Sequence, residues 1–78
     1  MWDIYNKTEI GKRLKYLRES KGFSQEHLAN ELSCSYPILL HQSSISKYEL
    51  GEYAFSIYTL LVYSDYFGVT TDYILWGK

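Results

Sequence analysis

Glycines and capping hydroxyls cut this chain into short helical lengths, and that punctuation limits its fold more than any other feature. Gly22, Gly51 and Gly68 each follow a run with apolar periodicity, where the left-handed freedom of glycine stops a helix. Ser24, Ser56 and Thr70 or Thr71 each precede such a run, where a side-chain oxygen can take up an orphan amide. No stretch alternates apolar and polar residues in the strand period. Helices this short are unstable alone and must pack on one another. The expectation is an all-α domain of five short helices.

The segments follow in order. Residues 1–8 read as an N-terminal arm with Trp2, Ile4 and Tyr5 but no period, ahead of a single domain over 9–76. Thr8 caps a first helix at 9–21, with Ile10, Leu14 and Leu17 in one stripe and Lys12, Arg13 and Lys15 off it. Ser24 caps a second helix at 25–32, buried through Leu28, Ala29 and Leu32. Residues 33–41 form a connection that Pro37 bars from being a continuous helix, with Leu39 and Leu40 expected on the core. A fourth helix begins after Ser56, with Leu60, Tyr63, Ser64 and Phe67 inward, Ile57 and Leu61 beside them, and a second stripe of Tyr58, Val62 and Tyr66 outward. A last turn brings Ile74 and Leu75 onto the core.

Between connection and fourth helix stands Gln42-Ser43-Ser44-Ile45-Ser46-Lys47-Tyr48-Glu49-Leu50-Gly51. On a helical wheel Ile45, Tyr48 and Glu49 share one side, while Ser43, Ser46, Lys47 and Leu50 share the other, with Gln42 at the tip. The outward groups donate and accept hydrogen bonds but carry no chemistry of their own. They suit a helix offered to a partner, foremost the major groove of DNA.

Charge argues in both directions. The net charge is −1, unlike that of most nucleic-acid binders. Six of the eight basic residues, however, lie between positions 7 and 21, so a local basic patch exists. The single Cys34 cannot form an internal disulfide. No apolar run is long enough to span a membrane and no signal-peptide pattern is present, so the expected location is the cytoplasm. His27, Cys34 and His41 match no zinc spacing, and no nucleophile constellation or phosphate-cradling Gly loop appears. Neither enzyme activity nor a metal, cofactor or small-molecule ligand is expected.

Ile10-Gly11-Lys12-Arg13-Leu14, Leu17-Arg18, Ser24-Gln25, Leu28-Ala29, Ser44-Ile45-Ser46-Lys47-Tyr48-Glu49, Gly51, Ser56, Thr59-Leu60, Phe67-Gly68-Val69, Asp72 and Leu75 occur in an informative order. Together they resemble the phage-repressor and Cro type of helix-turn-helix domain, the xenobiotic-response-element class of small regulators. The resemblance implies a five-helix, lambda-repressor-like fold in which helix three reads double-stranded DNA. It implies base reading by Gln42, Ser43, Ser46 and Lys47; the plain alternative is a solvated polar face. The apolar Leu50 suits contact with a thymine methyl. The resemblance also implies a phosphate contact at Gln25, the plain alternative being a first-turn residue in solvent. Lys12 and Lys15 either reach phosphate or form a solvated face. Arg18 and Glu49 resemble an ion pair that ties helix one to helix three.

Three departures stand out. Such domains join helices two and three by a turn of about four residues, and here the join is lengthened, as also occurs in the class. Leu50 replaces the usual Asn. The loop after Gly51 reads Glu52-Tyr53-Ala54 instead of carrying basic residues and Pro. Tyr58, Val62 and Tyr66, extended by Tyr73 and Trp76, suggest a homodimer interface, or else aromatics folded over a thin core. The expected function is a sequence-specific DNA-binding transcriptional regulator, a small dimeric repressor. The alternative is an antitoxin- or anti-repressor-like protein-interaction module on the same fold.

Overall fold

The computed structural model of the protein describes residues 6–53 and 56–78. They form five helices: α1 at Lys7–Ser20, α2 at Gln25–Ser35, α3 at Gln42–Leu50, α4 at Ile57–Phe67 and α5 at Thr71–Trp76. Among the described residues there is no strand, in keeping with the all-α expectation.

The caps explain most of the boundaries. Ser24 Oγ accepts from the His27 amide at 3.0 Å, Ser56 Oγ from Thr59 at 3.0 Å and Thr70 Oγ1 from Tyr73 at 3.0 Å. The first helix departs from expectation. Asn6 Oδ1 accepts from the amides of Thr8 and Glu9 at 3.0 and 3.2 Å, so Asn6 is the cap and Thr8 lies inside the first turn. Of the arm expected at 1–8, residues 6–8 therefore begin the domain, and 1–5 lie outside the described residues.

The second helix runs a turn beyond its expected end at Leu32. Pro37 sets its limit, because the residue before a proline is pushed out of the helical region. Tyr36 sits at φ −133° and ψ 154°. The connection shrinks to residues 36–41, still longer than a tight turn. Ser33 Oγ accepts from the Leu40 amide at 3.0 Å and donates to the Leu40 carbonyl at 3.2 Å. Leu40 is thereby pinned into the core, whereas Leu39, expected beside it, is 76% exposed.

The core gathers Ile10, Leu14 and Leu17 from α1, Leu28, Ala29 and Leu32 from α2, Ile45 from α3, Val62 and Tyr63 from α4 and Ile74 from α5. The face of α4 is rotated from the expected one. Val62, placed outward by sequence as an interface residue, is 3% exposed, while Ile57 and Leu61 are 77% and 52% exposed. In the run Ile-Tyr-Thr-Leu-Leu-Val-Tyr nearly every position is apolar, so periodicity does not select a face. Thr59 turns inward because Ser56 Oγ, at 2.8 Å from Thr59 Oγ1, satisfies its hydroxyl.

Tyrosine hydroxyls latch α4 onto α2 and its connection. The Tyr66 hydroxyl donates to Glu31 at 3.2 Å, Tyr36 to Asp65 at 2.7 Å and Tyr58 to the Pro37 carbonyl at 3.4 Å. Burial, helped by the bond to Asp65, pushes the Tyr36 phenol up to about 12.

The tightest approach joins α1 to α3. A Cβ on Gly11 would collide with the Glu49 carbonyl oxygen and stand 2.7 Å from its carbonyl carbon and 2.8 Å from the Tyr48 carbonyl oxygen. Both neighbours are backbone, which cannot rotate away. Gly11→Ala is expected to lower unfolding free energy by about 2 kcal/mol or more, since overpacking outweighs alanine's helical advantage of about 1 kcal/mol. Urea titration of both proteins measures the difference.

Candidate nucleic-acid interface

Ile45 and Glu49, one helical turn apart, give α3 one buried flank and leave the other open. Ile45 is fully buried and Glu49 is 8% exposed, whereas Gln42, Ser43 and Leu50 are open and Ser46 and Lys47 half-buried. The polar flank points away from the core.

A relay of hydrogen bonds sets the angle of this helix. Arg18 donates from Nε to Glu49 Oε2 at 2.7 Å and from Nη2 to Oε1 at 3.0 Å, a two-point ion pair. Its remaining Nη1 donates to the Phe23 carbonyl at 2.7 Å. Hydrogen bonding to Glu49 raises the Arg18 pKa further, which keeps the guanidinium charged. Gln25 Nε2 donates to Glu49 Oε1 at 3.1 Å, and Gln42 Nε2 donates to Gln25 Oε1 at 3.4 Å. The relay thus joins α1, α3 and the first residue of α2, and returns to the tip of α3.

Beside it lies a groove of about 370 Å³ lined by Thr8, Lys12, Lys15, Arg18, Gln25, Ser46, Glu49 and Leu50. The structure therefore brings Lys12 and Lys15 to the same hollow as Gln25 and Ser46. Lys12 Nζ also pairs with Glu9 at 3.2 Å, an exposed pair of small energetic worth. Arg13, grouped with these lysines in the sequence reading, turns elsewhere. Its Nη1 donates to the carbonyls of Ile74 and Leu75 at 2.9 and 3.4 Å, closing the end of α5.

Several residues hold positions that the sequence did not reveal. Thr8 forms part of the groove wall. Tyr53, beyond the Gly51 stop, lies with its ring centroid 5.2 Å from Lys47 Nζ. No periodic pattern reaches past Gly51, so nothing in the sequence joins these two residues. The His27 ring lies against Phe23 at 4.3 Å between centroids, tilted by 35°, with Nε2 3.7 Å from Glu31 Oε1. Tyr66 and Tyr73 are half-buried, and Tyr58 and Trp76 are each 44% exposed.

A family model described as a helix-turn-helix domain matches residues 11–78. The chain belongs to that family. Within the helix-turn-helix family, a curated relative from Bacillus subtilis (strain 168) is described as an SPbeta prophage-derived uncharacterized HTH-type transcriptional regulator, YonR. It is 37% identical over 68 residues, covering 87% of this chain but 57% of the relative, so the chain spans little more than half that protein's length. The DNA-binding domain of BldD superimposes with a TM-score of 0.73 at 23% identity, over 96% of this chain and 99% of that one. The restriction-modification controller protein C.AhdI from Aeromonas hydrophila gives 0.73 at 26% identity, over 90% and 93%. In helix-turn-helix terms α2 and α3 are the paired helices, and α3 is the second of them.

The buried ion pair holds that pairing against α1. Arg18→Leu alone is expected to cost about 3–5 kcal/mol, because the Glu49 carboxylate is left buried with less compensation. Arg18→Leu combined with Glu49→Leu is expected to regain most of that loss. Thermal unfolding of the two variants checks the sign of the difference.

Proposed function

We propose that this domain is a sequence-specific DNA-binding regulator of transcription, a small repressor acting as a homodimer. α3 lies in the major groove of double-stranded DNA. Gln42, Ser43 and Ser46 meet base edges there, and Lys47 reaches guanine or phosphate. Gln25, at the N-terminal end of α2, and Lys12 and Lys15 on α1 take backbone phosphates. The observation carrying this reading is the open polar flank of α3, held by the Arg18–Glu49 pair beside a groove that the two lysines share. Membership of the helix-turn-helix family and the description of the Bacillus relative as a transcriptional regulator support it.

The dimer face is α4. Ile57, Tyr58 and Leu61 stand exposed within two turns of one another, and they replace Val62 as its centre. Tyr66, Tyr73 and Trp76 flank it in this reading. A two-fold dimer of this kind places its half-sites about 34 Å apart. No helix among the described residues is long and apolar enough to cross a membrane, and the cytoplasm is the proposed location.

Two observations favour a second reading, a protein-interaction module that binds DNA weakly or not at all: the acidic Glu52 just after α3 and the net charge of −1. Selection from a random duplex pool separates the two. The regulator reading expects a defined sequence whose retardation falls steeply with salt; failure to retain any duplex at low salt overturns it. Gln42→Ala is expected to lose about 1–3 kcal/mol of discrimination at one base pair, with unfolding nearly unchanged. For the dimer, Ile57→Glu is expected to convert the sedimenting species to monomer while helicity is retained.

A further inference from the structure

Among the outward residues of α3, Gln42 is tied to Gln25 at the N-terminal tip, and the Lys47 ammonium stands against an aromatic ring at the other end. Gly51 takes φ 76°, and the chain folds back across the last turn of α3, with the Gly51 amide on the Tyr48 carbonyl at 3.1 Å and the Glu52 amide on the Lys47 carbonyl at 2.9 Å. This return places Tyr53 beside the helix it has just left. Its ring meets Tyr48 edge-on at 6.0 Å between centroids, and the Lys47 ammonium stands 5.2 Å from its centroid. A lysine stem is flexible and its ammonium strongly hydrated, so an unheld lysine samples many positions. A ring face attracts the cation and narrows that choice.

The held position has a direction. Tyr53 lies beyond the C-terminal end of α3, whereas in a groove-reading helix the N-terminal residues approach base edges. An ammonium drawn toward Tyr53 is drawn away from Gln42 and Ser43. We propose that Tyr53 is a positioning residue for DNA binding: its ring holds the Lys47 ammonium at the C-terminal end of α3, where it meets a backbone phosphate and not a base edge. This rests on the regulator reading above. It also gives a fixed positive charge to a segment whose own sequence, Glu52-Tyr53, carries none.

The test uses the duplex selected from a random pool, together with a panel carrying each single base-pair change in it. Tyr53→Leu is expected to weaken binding by about two- to five-fold, the worth of an exposed cation–π contact, equally across the panel. Tyr53→Phe keeps the ring and is expected to bind like the natural protein. Lys47→Ala is expected to flatten the dependence of affinity on salt by about one ion and to leave base preference unchanged. Added to Lys47→Ala, Tyr53→Leu is expected to have no further effect, since the two act as one unit. Circular dichroism confirms that each variant is folded. A base preference altered at one position by Lys47→Ala overturns the proposal. So does a loss from Tyr53→Leu that persists without Lys47, or a loss from Tyr53→Phe as large as that from Tyr53→Leu. A natural protein that binds no duplex removes the regulator reading itself. One that binds, with Tyr53→Leu binding equally well, removes only this inference.

Discussion

The contact between α1 and α3 governs the rest of the molecule, and it is made by backbone before side chains enter. Gly11 lets the α3 chain at Tyr48 and Glu49 lie directly against α1, closer than any Cβ permits. At that separation the Arg18 guanidinium meets the Glu49 carboxylate in a two-point geometry. Gly51 repeats the device just past the same end of α3, where a Cβ would stand 3.0 Å from Thr8 backbone atoms and where φ is 76°. Two glycines thus seat the C-terminal turn of α3 on α1, and the ion pair sets its rotation there. Buried pairs of this kind add little net stability; this one joins α1 to α3 through two hydrogen bonds in one orientation.

That orientation passes to the open flank through amides, not through packing. Glu49 holds Gln25, and Gln25 holds Gln42. The glutamine that opens α3 is therefore linked to a residue buried in α1 by groups that are all hydrogen-bonded. In the sequence these residues lie far apart and have no common pattern. The Arg18–Glu49 partnership was legible only through the family resemblance, and the part played by Gln25 as a bridge between Glu49 and Gln42 was not legible at all.

Most of the punctuation is legible, and so is orientation where apolar residues keep to one stripe, as Ile10, Leu14 and Leu17 do on α1 and Leu28, Ala29 and Leu32 on α2. Ser24, Ser56 and Thr70 cap helices as their chemistry predicts, and Gly22, Gly51 and Gly68 all have positive φ. These are local decisions, taken within a few residues of backbone. At the start of α1 the cap is Asn6 and not Thr8, in keeping with asparagine being the stronger cap of the two. The rotation of α4 was misjudged because its apolar residues surround the helix, so the choice between Leu61 and Val62 fell to the neighbours that α4 meets. Tyr53 escaped notice because its partner on α3 is brought near only by the return of the chain at Gly51. The site is thus least readable wherever two elements must be placed before two side chains can meet.

The clamp between Ser33 and Leu40 bears on how such a joint can change. One hydroxyl holds both backbone groups of Leu40, so the chain between them is closed on itself like a buckled strap. Slack inside the strap, where Leu39 stands in solvent, does not reach its fastened ends. Residues can accumulate there over generations while the helix that follows keeps its seat.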